Sequence, residues 1–349
     1  MIAILQPLLA PYRVPFFNAI QDVSGIPLTV VVSREAHARS RPWTIEWNDV
    51  SFDVAPLRTV GVRVGTRTME LSLDVRSALD RIRPDRVVLP GWGLGASWAA
   101  LRWCHRAGRR PYAWIESHAE SSSLKNRAAD RARRYFLTRC AGVIVPGEQA
   151  RQLVTTLLPG ARCWTVPNAI EARELRALAP PTGGGALYVG EMSRRKGVDV
   201  ILDAAEGIID SVGELVVVGH GPLAPAAERM ARWLKGMRYE GFLEKAPLRE
   251  EFERCRAVLL PSRRDPWPLV AVEALVAGRP VVLGPGVGSI EDLEPVGSDA
   301  VVSMDVLSAD GLVEALARAA KAQVPKGARE RFLPRPAAEA FVKALGLEA

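Results

Sequence analysis

The chain has 349 residues, 48% of them apolar and 24% charged, a balance that excludes a disordered chain and gives enough length for about two domains. No apolar run approaches the ~18 residues a bilayer span needs, and the N-terminal stretch MIAILQPLLAPYR lacks the basic region and cleavage site of a secretory leader, so neither is expected. Cys104, Cys140, Cys163 and Cys255 form no C-x-x-C pair, and His37, His105, His118 and His220 show no H-E-x-x-H spacing; a zinc ribbon, a disulfide scaffold and a metallohydrolase are excluded, and reduced cytosol is expected.

The net charge of +7 is unevenly placed. Residues 1–175 carry 24 Lys and Arg against 15 Asp and Glu, and Lys125 is the only lysine there. An arginine-rich half suits an acidic partner such as phosphate, an anionic membrane face or nucleic acid, or else reflects a solvated, arginine-biased surface.

In chain order, strands are expected at 2–5, 28–32, 86–89, 112–115, 142–145 and 164–166, then at 186–189, 214–218, 237–239, 257–260, 280–283 and 300–302. Most are continuous apolar runs, the pattern of parallel strands covered on both faces. Helices are expected between them, among others at 96–107, 125–139, 148–157, 198–207, 268–277 and 311–322, with a last one over 336–345. This alternation predicts α/β architecture. The run Pro180-Pro181-Thr182-Gly183-Gly184-Gly185 breaks it. We therefore expect two Rossmann-like doubly wound domains facing a central cleft: a first domain over 1–170, a linker over 171–185, a second domain over 186–330, and a C-terminal helix within 331–349 packing back toward the first domain. Ligands in such sheets bind at the carboxyl ends of the strands.

The most informative stretch, Pro261 to Gly278, follows the strand at 257–260. Pro268 suits a first helical turn and Gly278 the position past the helix end. Asp265 then lies in the loop and Glu273 inside the helix, so both carboxylates can face one cleft. The exposed N–H groups of Leu269 and Val270 suit an anion. Carboxylates grip sugar or ribose hydroxyls, and helix-start amides grip phosphate.

The run D-P-W-P-L-V-A-V-E-A resembles the E-P-F-G-x-x-x-x-E-A signature of retaining glycosyltransferases of family 4, which have the GT-B fold. Tyr188-Val-Gly-Glu-Met-Ser-Arg-Arg-Lys196-Gly197 resembles that family's phosphate loop, F-x-G-R-L-x-x-x-K-G. Val218-Gly-His-Gly-Pro222 resembles its V-G-x-G-P turn, Gly241-Phe242 its nucleobase position, Val166-Pro-Asn-Ala-Ile170 its V-P-N-G-I-D segment, and Pro11–Phe17 the first acceptor loop of one branch. The resemblance implies a GT-B fold and a retaining transferase that needs no metal and no resident cofactor, with a UDP-, GDP- or dTDP-linked sugar as co-substrate. It implies catalytic roles for Asp265, His118, Glu116 and Lys196. Donor contacts would fall to Gly190, Arg195, Lys196, Gly219, Phe242, Leu269, Val270 and Glu273, and acceptor contacts to Tyr12, Arg13 and Glu116. The acceptor would be a lipid-linked glycan or a small natural product, with no nucleic acid. Location would be cytoplasmic, with peripheral binding to the inner membrane face through the basic first half.

Three departures stand out. Glu191 replaces the arginine expected after Gly190 and would repel a diphosphate, Asp265 is one methylene shorter than Glu, and Pro268 replaces a glycine and offers no N–H. Other readings remain open. A nucleotide-sugar epimerase or hydrolase could use the same fold. Gly219-His-Gly221-Pro-Leu-Ala224 formally fits the G-x-G-x-x-A fingerprint of an NAD-dependent oxidoreductase, although it does not open a first βαβ unit.

Overall fold

The computed structural model describes residues 1–33, 45–64, 67–117, 126–171, 175, 178–179, 181, 183–293, 299–325, 327, 330 and 332–347. The chain divides into two compact units, Met1–Glu171 with Pro334–Ala349, and Ala172–Leu333.

The first unit is built on seven parallel strands: β1 (Ile2–Gln6), β2 (Leu28–Val32), β3 (Asp53–Pro56), β6 (Arg86–Leu89), β7 (Tyr112–Trp114), β8 (Gly142–Val145) and β9 (Cys163–Thr165), in the order β3-β2-β1-β6-β7-β8-β9. β4 (Thr59–Val64) and β5 (Arg67–Ser72) form a separate antiparallel pair. Every residue of β1 and β2 is buried, which is why these strands read as unbroken apolar runs. Side chains alternate between two cores: Ala3 and Leu5 join Leu79, Leu101 and Phe136 on one face, and Ile2 and Ile4 join Phe16, Phe17 and Phe341 on the other. The C-terminal helix Pro334–Ala344 belongs to this unit. Phe341 meets Phe16 edge-to-face at 5.6 Å, and the Leu345 carbonyl accepts from Arg86 Nε and Tyr112 Oη, both at 3.2 Å.

The second unit repeats the plan with β10 (Ala186–Val189), β11 (Leu215–Val218), β12 (Met237–Gly241), β13 (Ala257–Leu260), β14 (Val281–Leu283) and β15 (Val301–Ser303), all parallel, in the order β12-β11-β10-β13-β14-β15. In each sheet the direction of winding reverses beside the first strand of the unit, between β1 and β6 and between β10 and β13. Those are the switch points, the places at the carboxyl edge of an open parallel sheet where ligands bind.

Several expectations shift. The helix expected over 198–207 is two segments, Val198–Asp203 and Ala205–Val212, ending at Gly213 with φ 87°. Gly207 does not stop it; its bare Cα lets Val313 approach, with Cγ2 3.0 Å from where a Cβ would sit. Pro268 stands before the helix Leu269–Val276 as its N-cap, with an extended ψ of 108°, and not in the first turn. Gly278, at φ 75°, follows the helix end as expected. β3 escaped notice because it is a half-exposed edge strand ending in Pro56, with no apolar run. Trp92 and Trp98 pack edge-on against Phe136, and Trp114 packs among Phe16, Phe17 and Phe341, so these indoles are framework. Burial pushes the thiols of Cys104, Cys140 and Cys255 up to about 12, too high for a nucleophile at neutral pH. Among the described residues no helix is long and apolar enough to cross a membrane.

Candidate active site

At the switch point of the second unit, the loop after β10 (residues 190–197) meets the loop after β13 (residues 261–268). The Arg195 carbonyl accepts from the N–H of Arg263 at 2.9 Å and of Arg264 at 3.3 Å, and the Arg263 guanidinium returns a bond to the Arg194 carbonyl at 2.6 Å. At the end of this seam Lys196 Nζ forms an ion pair with Asp265 Oδ2. Asp265 is buried, and its backbone is held on both sides: its N–H donates to Gly286 at 2.9 Å and its carbonyl accepts from Gly288 at 2.8 Å. The pair thus ties together loops of β10, β13 and β14.

Glycines make this approach possible. A Cβ on Gly197 would lie 1.9 Å from the Pro261 carbonyl oxygen, and one on Gly219 1.8 Å from that of Gly190. Both have positive φ, 75° and 139°. The Gly190 N–H donates to Val218 and the Gly219 N–H to Gly241, so these amides are engaged within the protein. The Gly219-His220-Gly221 turn packs against the β10 loop, where the Met192 N–H donates to the His220 carbonyl at 2.8 Å. Beyond it the Phe242 ring is exposed and stacks on His220 at 6.3 Å and 20°.

The helix Leu269–Val276 starts one residue after the β13 loop. Its first backbone bond runs from the Ala271 N–H to the Pro268 carbonyl, and the N–H groups of Leu269 and Val270 have no backbone acceptor among the described residues. Inside the helix, Glu273 is half-buried, and the protein packed around its carboxyl pushes it up to about 7. It makes no side-chain hydrogen bond or ion pair among the described residues. A carboxyl group left desolvated and unpaired is costly for the fold and suits a ligand rich in hydroxyl donors.

Residues 190–199 and 261–268 hold five cations (Arg194, Arg195, Lys196, Arg263, Arg264) and three acids (Glu191, Asp199, Asp265). Arg263 grips Asp199 through both terminal nitrogens at 2.6 and 2.9 Å; burial opposes the Asp199 charge, but Arg263 outweighs it and holds the carboxyl below its ordinary value. Arg195 Nη2 donates to Glu191 Oε2 at 2.5 Å and Nη1 to the Arg264 carbonyl at 3.0 Å. Sequence reasoning missed that Glu191 meets Arg195, because an i,i+4 spacing is a signal only on a helix and Glu191 lies in a loop.

In the first unit the structure brings Arg13 and Glu116 together. Arg13, buried at the end of the turn Pro11–Arg13, pairs with Glu116 just beyond β7. Its guanidinium lies 4.4 Å from the Trp114 ring centroid and 5.2 Å from that of Tyr12. Burial works against this cation, but Glu116 and Tyr12 outweigh it and hold its pKa above the ordinary value. His118 lies outside the described residues. Among the described residues no three His, Cys, Asp or Glu side chains form a metal-binding group.

Two doubly wound parallel sheets, with a lysine–carboxylate pair at the second switch point, define the protein as a GT-B type α/β protein. Residues 21–169 match the family "Glycosyl transferase 4-like domain" and residues 184–322 the family "Glycosyl transferases group 1". The chain belongs to the family 4-like GT-B glycosyltransferases. It is 29% identical over 208 residues to a 2-deoxystreptamine glucosyltransferase of Streptomyces kanamyceticus, covering 54% of this chain and 52% of that one. The chain spans about half or less of the lengths of the curated relatives it matches first, 28% and 52%. Its fold superposes on the lipopolysaccharide outer core galactosyltransferase WaaB at a TM-score of 0.72, with 16% identity and 99% of each chain covered. It also superposes on Anabaena Alr3699/HepE in complex with UDP at a TM-score of 0.71, with 13% identity and 99% of each chain covered.

Proposed function

We propose that the protein is a retaining glycosyltransferase that moves a sugar from a nucleoside-diphosphate donor to a hydroxyl acceptor, without a metal or resident cofactor. The observation that carries this reading is the Lys196–Asp265 pair, which joins the loops after β10 and β13 at the switch point. In this reading Lys196 and Arg195 bind the diphosphate, with the free amides of Leu269 and Val270 at the helix start. Asp265 accepts from the donor sugar hydroxyls and Glu273 from the ribose. The surface around Phe242 lies against the base. UDP is the donor nucleotide we favour, because HepE is described in complex with UDP.

The reaction breaks the bond between the sugar C1 and the diphosphate oxygen and forms a bond from C1 to the acceptor oxygen on the same face. The acceptor proton passes to the departing phosphate oxygen, so no separate base is required. Charge gathers on the diphosphate as the sugar becomes oxocarbenium-like. The two-charge surplus of cations over residues 190–199 and 261–268 stabilises that transition state. Gly197 lets the β10 and β13 loops touch, and Gly219 does the same for the β10 and β11 loops.

Tyr12, Arg13 and Glu116 are assigned to the acceptor. Two acceptor chemistries have support from named neighbours: a small natural product, since the Streptomyces relative is named for 2-deoxystreptamine, and a lipid-linked glycan, since WaaB is named for the lipopolysaccharide outer core. For the second, the helix Arg127–Thr138 exposes Arg127, Arg131 and Arg134 along one side, a face suited to anionic lipid at the cytoplasmic side of a membrane.

Thermal unfolding with UDP, GDP and dTDP tests the donor reading: one of them should raise the melting temperature, since ligand at 100 times its Kd adds about 2.7 kcal/mol. No shift with any of them would sink it. Co-sedimentation with anionic vesicles at low and high salt tests the membrane reading, and binding insensitive to salt or absent would remove it.

A further inference from the structure

Glu191 occupies the position where the resemblance leads one to expect an arginine, and an acid there reads as repulsion of the donor. The geometry points to the opposite role: we propose that Glu191 is a positioning residue that holds the Arg195 guanidinium in place for the donor diphosphate. This rests on the donor reading of the site given above.

Three observations carry it. First, the backbone at Glu191 is fixed. Its carbonyl accepts from the Tyr188 hydroxyl at 2.8 Å and from the Ser193 N–H at 2.8 Å, and Tyr188 is fully buried. The carboxylate is therefore presented from a rigid loop. Second, Arg195 is gripped on one edge only. Nη2 is bonded to Glu191 and Nη1 to the Arg264 carbonyl, which uses two of its five N–H donors and leaves three without a protein partner among the described residues. The bond from Arg195 is the main reason that the Glu191 carboxyl lies below its ordinary value, so the acid is charged at neutral pH and the contact is charge-assisted. Third, both side chains are close to half exposed, 49% and 45%. An ion pair with that exposure adds little to folding, so its main effect is on orientation.

Charge balance agrees. With Glu191 in place, residues 190–199 and 261–268 have five cations against three acids, a surplus of two, which matches the roughly two negative charges of a diphosphate diester. An arginine that swings freely loses rotamer freedom on binding. One already held at two points loses less.

Glu191→Ala and Glu191→Gln separate this from repulsion, because both remove the same charge. Titration with UDP, GDP and dTDP identifies the diphosphate that binds wild type. On that probe Glu191→Ala should weaken binding roughly five- to tenfold, raise the donor KM by a similar factor and leave kcat and the melting temperature of the unliganded protein nearly unchanged. Glu191→Gln, which keeps an acceptor for Arg195, should fall between Ala and wild type. In an Arg195→Ala background Glu191→Ala should add no further loss, because the residue acts through Arg195. Equal or tighter binding by both single variants would overturn the inference and establish repulsion. Binding of none of the three diphosphates by wild type would instead overturn the donor reading on which it rests.

Discussion

Lys196 and Asp265 come from loops 69 residues apart in sequence and form an ion pair in which the acid is buried and the lysine is largely covered. Neither charge is spare in the unliganded protein, so the site is held together by the groups assigned to the donor. Lys196→Ala should abolish most transfer activity. It should also lower stability by about 1–3 kcal/mol, because a buried carboxylate loses its partner. Lys196→Ala combined with Asp265→Ala should regain part of that stability and none of the activity. Denaturant unfolding alongside a transfer assay measures both. Wild-type turnover in Lys196→Ala would remove the phosphate assignment.

Glu273 gives a pH prediction. Its folded carboxyl is raised by burial from an ordinary 4.5 to about 7. The native state therefore holds its proton more tightly than the unfolded chain, and stability falls as pH rises through that window. Glu273→Gln should match wild type near pH 4 and be more stable by about 1–3 kcal/mol at pH 8. The same variant should raise the donor KM strongly. Ribose hydroxyls donating to the carboxylate favour its ionised form, so donor binding near pH 6.5 should release a proton. Calorimetry in buffers of different ionisation enthalpy detects that release; proton uptake in its place would contradict the assignment.

The parallel strands were legible in the sequence because burial on both faces leaves unbroken runs such as LTVVV and GVIV. The Asp265–Glu273 spacing was legible because it sits on a strand-loop-helix unit bounded by Pro268 and Gly278. What stayed hidden depends on contacts between distant loops. The bond from the Arg263 N–H to the Arg195 carbonyl, the engagement of the Gly190 and Gly219 amides, and the stacking of Arg13 on Trp114 leave no local pattern. The Glu191–Arg195 contact was hidden too, because Glu191 lies in a loop where no helical period points to a partner.

The glycines of the site should tolerate substitution according to what stands beside them. Gly219→Ala would drive a methyl group to 1.8 Å from the Gly190 carbonyl oxygen, at a φ of 139°. The β10 and β11 loops would have to separate, at a cost on the order of 2–4 kcal/mol and with loss of diphosphate binding. Gly213 also has positive φ, 87°, but nothing lies within 4 Å of its added methyl. Gly213→Ala should cost only about 1–2 kcal/mol and leave binding intact. Parallel unfolding and binding measurements on the two variants distinguish a packing role at Gly219 from a merely conformational one.

The Arg13–Glu116 pair should report on the acceptor separately from the donor. Arg13 is buried between Trp114 and Tyr12, and Glu116, nearly half exposed, balances its charge. Glu116→Gln keeps the shape and a neutral acceptor for Arg13 but leaves the buried guanidinium without its counter-charge, so stability should fall by about 1–3 kcal/mol. Arg13→Lys keeps the charge but loses the planar contact with the indole, at about 1–2 kcal/mol. If these residues serve the acceptor, Glu116→Gln should raise the acceptor KM several-fold and leave the affinity for the nucleoside diphosphate unchanged. Titration of that diphosphate and initial rates against acceptor concentration give the two numbers. A change in donor affinity alone would move Glu116 from the acceptor to the donor.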